Sequence, residues 1–424
     1  MKVLIVGSGA REHALAWKLA KSSCVTRLFS APGNPGTRGL SENISIKAED
    51  IASLKGFALK ENIDLTVAGP EAPLVQGIVD EFSRAGLRIL GPTKGAARIE
   101  GSKVFSKELM LEHNIPTAGF MRFDDPIKAD RYVRSKRGAL VIKADGLAGG
   151  KGVIISRSQK EALSAVGLIM EEKVFGHAGE SIVVEEFLEG EEVSYLVITD
   201  GRTIIPLSPA QDHKAIFDGD KGPNTGGMGA YSPAPVITPK LEEEILSTII
   251  EPTIKAMASV GCPYRGVLYA GLMITDTGPK VLEFNCRFGD PETEAILVRL
   301  EHDLFEILFD AAEGRLADKK LDWRAGSSVS VVMSSGGYPG AYENGKEIKG
   351  IETADAMEGV VVFHAGTSLN EGRLVTSGGR VLAVTALGAD MKDARQRAYE
   401  AVNMISFEGA HYRKDIGWRA VEKS

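Results

Sequence analysis

The chain opens with short apolar runs that alternate with amphipathic stretches. Residues 3–6 are an apolar run ending at Gly7, and residues 11–21 follow with helical periodicity. A second strand is predicted over 25–30, ahead of the loop Ala31-Pro32-Gly33-Asn34-Pro35-Gly36. A third, over 65–68, runs into Gly69-Pro70-Glu71-Ala72-Pro73. A helix over 75–85 and a strand over 87–90, ending at Gly91-Pro92, complete the pattern. Strands alternating with helices in short units predict an open parallel sheet with crossover helices. Such sheets bind ligands at the carboxyl ends of their strands, which is where these Gly/Pro loops lie.

Beyond residue 101 the texture changes. A helix over 102–114 precedes a strand–loop–strand pattern at 140–143 and 153–156, a helix over 159–172 and a strand over 181–187. Residues 117–190 thus read as a small α+β lobe. Longer β stretches at 193–208 and 265–285 flank a helix over 239–260, and the tail holds β-rich segments at 328–333, 359–364 and 381–387 before a helix over 390–405. The expected fold class is mixed α/β and α+β, divided into an N-terminal unit at 1–100, a two-lobed core at 101–325 with a mobile lid at about 117–190, and a C-terminal β-rich unit at 326–424.

Composition narrows the function. At ~150 residues per domain, 424 residues are enough for about three domains. Glycine makes up 48 of them, above the usual share of ~7%, which suits backbone that must approach a ligand closely. The formal charge is −7 and there is no long Lys/Arg block, a poor match to nucleic acid or an anionic membrane. The apolar run at the N-terminus is too short for a signal-peptide core, and no run approaches the ~18 residues of a membrane span. Cys24, Cys262 and Cys286 form no C-x-x-C pair, and the seven histidines lack metal-ligand spacing. The expectation is a cytoplasmic, monomeric enzyme acting on small molecules.

Candidate chemistry comes from four stretches. Gly7-Ser8-Gly9-Ala10-Arg11-Glu12 follows a strand and opens a helix, as phosphate-binding turns do. Glu12 stands where a dinucleotide fingerprint needs a third glycine, and the second strand ends without a carboxylate for a ribose. A single phosphate, or no ligand at all, suits this turn better than a nicotinamide cofactor. The second stretch, Lys143-Ala144-Asp145-Gly146-Leu147-Ala148-Gly149-Gly150-Lys151-Gly152-Val153, is a glycine loop between strands. Its spacing is not that of a Walker A loop, but its bare amides and two lysines could fold over a triphosphate. Third, in Val184-Glu185-Glu186-Phe187-Leu188 the strand edge offers a carbonyl and, two residues on, an amide, the pair that an adenine edge needs. Fourth, Glu283 and Asn285 lie two apart on a strand, so both face one way and offer hard oxygens suited to Mg²⁺. Arg287 shares that face and could hold a carboxylate bidentately, or simply form a strand-end ion pair. The glycine-rich loop over 211–231 suggests substrate contact, with His213 expected to be solvated.

Lys103, Lys143, the 146–152 loop, Glu186–Leu188, Glu192, Glu283 and Asn285, in this order, resemble the ATP-grasp superfamily. The longer stretches Gly7–His13, Gly69–Leu74, Lys143–Val153, Asp212–Lys214, Gly222–Tyr231 and Glu283–Glu292 resemble, within it, the phosphoribosylamine–glycine ligases (glycinamide ribonucleotide synthetases) of purine biosynthesis. The resemblance implies ATP as co-substrate and Mg²⁺ or Mn²⁺ as cofactor. It implies ATP contacts from Lys103, Lys143, Gly149, Gly150, Lys151, Glu185, Glu186, Leu188 and Glu192. Metal would be held by Glu283 and Asn285. Gly9 and Asn34 would cradle the phosphoribosyl group, and Asp212, Lys214, Asn224, Arg287 and Asp290 would line the glycine and amine site. Lys143, Asp212, Lys214 and Arg287 would be catalytic. Another ATP-grasp carboxylate–amine ligase, or a nucleotide-binding protein without chemistry, are the alternatives.

Overall fold

The computed structural model describes residues 1–149, 151–317 and 320–422. Its first sheet is parallel throughout, in the order Glu42–Asn43, Arg27–Pro32, Lys2–Gly7, Leu65–Ala68, Ile89–Leu90. Alternation along the central strand sends Leu4 and Val6 into one apolar core and Val3 and Ile5 into another, so both faces are covered, as parallel sheets require. The helix expected over 75–85 is two helices, Glu71–Gln76 and Ile78–Arg84, because Gly77 adopts a left-handed conformation (φ 99°) that ends the first of them.

A second sheet has the order Phe120–Phe123, Ile182–Glu186, Leu140–Ala144, Val153–Ser156 and is antiparallel. Helices Pro126–Ser135 and Gln159–Val166 bury Ala129, Val133, Ala162 and Ala165 against Ile142, Ile182 and Val184, giving this lobe an apolar core of its own. A third sheet has the order Ile204–Pro206, Glu191–Thr199, Gly266–Thr275, Gly278–Asn285. The β stretches expected over 193–208 and 265–285 are therefore hairpins, each reversing in a short turn.

The fourth sheet departs most from the linear reading. Its order is Gln211–Asp212, Gly229–Ser232, Ser327–Ser334, Arg380–Gly388, Val360–His364. The segment over 211–231, expected as a loop, contributes two strands to this sheet and carries a small hairpin, Ala215–Phe217 with Lys221–Asn224, between them. Helix Met391–Met404 covers the sheet, packing Ala394, Ala398 and Val402 on Val331, Val362 and Val384. The architecture as a whole is the mixed α/β and α+β class expected, with an N-terminal parallel sheet and C-terminal antiparallel strands.

Candidate active site

One cleft lies where the second sheet, the third sheet and the loop after Gly278–Asn285 converge. It brings together Lys103, Lys143, Gly149, Glu185, Glu186, Leu188, Glu192, Asp212, Lys214, Asn224, Glu283, Asn285, Arg287 and Asp290. Gly9, Asn34 and Lys151 do not line it, and Gly150 lies outside the described residues.

At its inner end a buried carboxylate sits between two ammonium groups. Glu185 is 2.9 Å from the Lys143 Nζ through Oε1 and accepts from the Lys107 Nζ through Oε2 at 2.8 Å. Lys107 also donates to the Thr117 Oγ1 (2.7 Å), and Lys143 to the Leu282 carbonyl (2.9 Å). That carbonyl is free to accept because the ladder between Gly266–Thr275 and Gly278–Asn285 slips at Leu282, a bulge that turns one residue out of register. Burial brings the Lys107 ammonium down to about 8, against the pull of Glu185. The sequence alone does not single out Lys107. It lies one helical turn after Lys103 on Lys103–Glu112, and that i,i+4 spacing was the available signal. Lys103 itself donates to the Gly146 carbonyl at the start of the glycine loop (3.2 Å). Lys151 reaches away, to the Pro339 carbonyl (3.0 Å).

Beside the lysines is an apolar slot walled by Val141, Ile155, Ala118, Met273 and Leu282, with Glu186–Leu188 along its rim. The Glu186 amide donates to the Gly119 carbonyl (2.9 Å), and its carboxylate accepts from the Gly119 amide (2.9 Å). The slot suits a flat apolar ring with a polar edge.

The opposite wall carries the charge. Glu283 and Asn285 share a face of their strand, as expected. Burial pushes the Glu283 carboxyl up, but Lys214, Lys103, Lys143 and Arg287 outweigh it and hold the group ionised. Among the described residues none donates a hydrogen bond to this carboxylate, and the Asn285 Oδ1 accepts from Arg287 alone (3.2 Å). These open, hard oxygens fit a divalent cation. Arg287 is held on several sides, by Glu71 (3.3 Å), by Glu100 (3.3 Å) and by the Phe288 carbonyl (3.1 Å). Glu71 opens helix Glu71–Gln76, which follows strand Leu65–Ala68, and Glu100 comes from helix Lys94–Gly101. Neither was singled out from the sequence, because both approach Arg287 from distant parts of the chain.

Further along, Lys214 pairs with Glu192 at 2.8 Å. Removal from water opposes the Lys214 charge, but Glu192, Asp212 and Glu283 raise its ammonium well above the ordinary range. Asp212 beside it is pushed up to about 7, first by burial and then by Glu292, Glu192 and Glu283, against the pull of Lys214. Glu292, also missed, accepts from the Tyr269 hydroxyl (2.7 Å) and from the Ser194 hydroxyl (2.9 Å). Asp290 is held by Arg380 of the fourth sheet (3.0 Å), which also donates to the Gly226 carbonyl (2.7 Å).

Two N-terminal candidates are engaged by the protein itself. The Gly9 amide donates to the Glu12 Oε2 (2.6 Å), so a carboxylate already occupies the start of helix Ala10–Leu19. The Asn34 amide nitrogen donates to the Ser8 carbonyl (2.9 Å) and the His364 carbonyl (2.7 Å), and its oxygen accepts from the Gly36 and Thr37 amides. His213, expected in solvent, is instead buried, and its Nε2 accepts from the Gly417 amide (3.2 Å). The C-terminal segment that covers it is remote in sequence, which hid this contact.

Two antiparallel sheets facing one another across paired lysines, an apolar slot and open oxygen ligands define a nucleotide-dependent enzyme of the ATP-grasp class. Family models for phosphoribosylglycinamide synthetase match almost the whole chain, the N domain over residues 1–100, the ATP-grasp domain over 101–293 and the C domain over 328–419. The chain belongs to this family. It is 50% identical over 423 residues to a phosphoribosylamine–glycine ligase of Brucella melitensis, covering 100% of this chain and 99% of the relative. It is 52% identical over 427 residues to one of Escherichia coli O6:H1, with the same coverage. A crystal structure of phosphoribosylamine–glycine ligase from Thermotoga maritima superposes with a TM-score of 0.85 at 36% identity, covering 98% of this chain and 100% of that one. Biotin carboxylase from Campylobacter jejuni shares the fold (TM-score 0.75) at 14% identity, over 99% of this chain and 95% of that one.

Proposed function

We infer that the chain is an ATP-dependent ligase that joins glycine to 5-phosphoribosylamine, giving glycinamide ribonucleotide, ADP and phosphate in purine biosynthesis. The observation that carries this reading is the convergence in one cleft of Lys103, Lys143, Glu283, Asn285, Asp212 and Lys214 beside an apolar slot. In this reading residues 1–100, 101–325 and 326–424 form three units, with 117–190 as the lid. The adenine lies in the slot, its edge on the Glu186 carbonyl and the Leu188 amide, with the Glu185 carboxylate nearby. Lys143 and Lys103 hold the phosphates under the 146–152 loop, and Glu192 faces the ribose. Glu283 and Asn285 hold the divalent ion, Mg²⁺ or Mn²⁺, which when bound neutralises the phosphate oxygens.

Two steps follow. The glycine carboxylate, oriented by Arg287 and Lys214, attacks the γ-phosphorus in line and releases ADP, leaving glycyl phosphate. The amine of 5-phosphoribosylamine then attacks the acyl carbon and phosphate leaves. The nitrogen must shed a proton in that step, and Asp212, poised near neutrality, is placed to take it. Positioning and charge neutralisation do most of the work, and lid closure keeps water from the acyl phosphate. The enzyme acts as a cytoplasmic monomer with no nucleic-acid partner. Among the described residues no helix is long and apolar enough to cross a membrane.

The test is ADP release from Mg-ATP with and without glycine and freshly generated 5-phosphoribosylamine. ADP formation that needs both, with one product amide per ADP, is the expected result. Folded protein that binds ATP but does not turn over this pair would overturn the substrate assignment.

A further inference from the structure

The segment that carries Asp212 and Lys214 is gripped from behind by the end of the chain. Between residues 213 and 220 nearly every residue meets the segment 411–419. The Gly417 amide donates to the His213 Nε2 (3.2 Å), and Arg413 donates to the Ala215 carbonyl (3.0 Å). The His411 Nε2 lies 2.9 Å from the Ile216 carbonyl, and its ring meets Phe217 edge-on at 5.6 Å. Asp218 accepts from the Lys414 amide (2.8 Å), and the Gly219 amide donates to Asp415 (2.8 Å). Asp220 accepts from Arg413 (2.9 Å) and from Arg419.

Arg413 is the centre of this grip. Its side chain is 0% exposed, and its guanidinium donates four hydrogen bonds, to Asp220, to the Ala215 carbonyl and to both oxygens of Asp415 at 2.7 Å. A buried guanidinium paired on this many sides fixes geometry, because its planar fork admits few alternative arrangements. Lys214 is the exception along the segment. Its ammonium leaves on the other side, toward Glu192 and the cleft, while its carbonyl accepts from the Thr225 amide and hydroxyl (both 2.8 Å). The hairpin therefore has its tip pinned by the C-terminal segment, while Asp212 and Lys214 at one end, and Asn224 to Gly226 at the other, stand in the cleft.

We propose that residues 411–419 form a strap that positions Lys214 and Asp212, with Arg413 as its central positioning residue, and that the strap sets affinity for glycine and the amine rather than for the nucleotide. The proposal rests on the function inferred above. The phosphate and adenine side of the cleft is built from Lys103, Lys143, Glu186 and Leu188, none of which touches the strap, and the ribose residue Glu192 meets the strapped segment through a single pair with Lys214, so the glycine and amine constants should move far more than that for ATP.

The test is a steady-state comparison of full-length Arg413→Met, Arg413→Lys and Asp220→Asn with the parent, together with melting temperatures. Arg413→Met is expected to raise KM for glycine and 5-phosphoribosylamine by roughly 10- to 100-fold, since small displacements of positioning groups cost that much, with KM for ATP within about twofold. Arg413→Lys, which keeps the charge but loses the fork, should fall between. Unchanged glycine and amine constants in folded variants, or an equal rise in all three, would overturn the strap. If Arg413→Met does not fold, Asp220→Asn at the solvent-facing tip decides by the same split. If the parent enzyme does not turn over this pair, the substrate assignment fails by itself. The strap is then judged by hydrogen exchange over residues 213–225, where unchanged protection in Asp220→Asn would overturn it.

Discussion

Glu185 shows how one side chain can hold several parts of a site. It is the carboxylate shared by Lys107, from helix Lys103–Glu112, and Lys143, from strand Leu140–Ala144. Taking it away leaves two buried ammonium groups facing one another. Glu185→Gln is expected to cost about 3–5 kcal/mol in denaturant unfolding. The loss should be smaller at pH 9 than at pH 7, because Lys107, already brought down to about 8, then gives up its proton. Asp212 makes a second prediction. With its carboxyl pushed up to about 7, kcat/KM should fall below that pH as the group is protonated and can no longer take a proton from the amine. Asp212→Asn should be slow at all pH values and lack that acid limb, which a pH–rate profile would reveal. Residues such as Lys143, Glu283 and Asn285 were legible from the sequence because strand alternation and local motif fix their neighbourhood. Glu71, Glu100 and Arg380 were not, because each is brought to the cleft by folding from a distant segment.

Elements meet most tellingly where helix Ala10–Leu19 touches strand Val360–His364. The His364 amide donates to the His13 Nδ1 (2.8 Å), and the two imidazoles lie 5.6 Å apart. Burial holds both neutral, His13 down to about 3 with the help of His364, and His364 down to about 4. In the unfolded chain each titrates near its ordinary value of about 6.5, so on acidification the unfolded state takes up protons that the folded state refuses. Stability should therefore fall as pH drops from about 6.5 toward 4. A melting series over that range checks it, and His13→Gln, which keeps an acceptor but cannot be protonated, should flatten part of the slope. The strands on either side of this contact were readable from apolar runs, since the core faces of Lys2–Gly7 and Arg380–Gly388 are nearly unbroken. The strands Gln211–Asp212 and Gly229–Ser232 were not. Both are short; Gln211–Asp212 pairs only with Gly229–Ser232, which in turn is held as a strand by Ser327–Ser334 nearly a hundred residues later.

At the scale of the whole molecule, that pairing ties the cleft to the C-terminal sheet. A chain ending at residue 325 would leave Gly229–Ser232 with only the two-residue strand Gln211–Asp212 beside it and the hairpin without its strap. Such a fragment is expected to lose cooperative thermal unfolding and to be cut rapidly by protease within 211–232, whereas co-expression with residues 326–424 should restore both. Arg380 adds to the tie, since it reaches from the same sheet to Asp290 and to the Gly226 carbonyl. The linear sequence shows three blocks of different texture, and the chemistry of the cleft draws on the last of them as well as the middle one. Recombination between distant relatives that cut at the apparent seam near residue 326 would therefore inherit a sheet with mismatched halves. A working chimera would need to carry residues 211–232 with the C-terminal block, so the heritable module is discontinuous even though the chain is not.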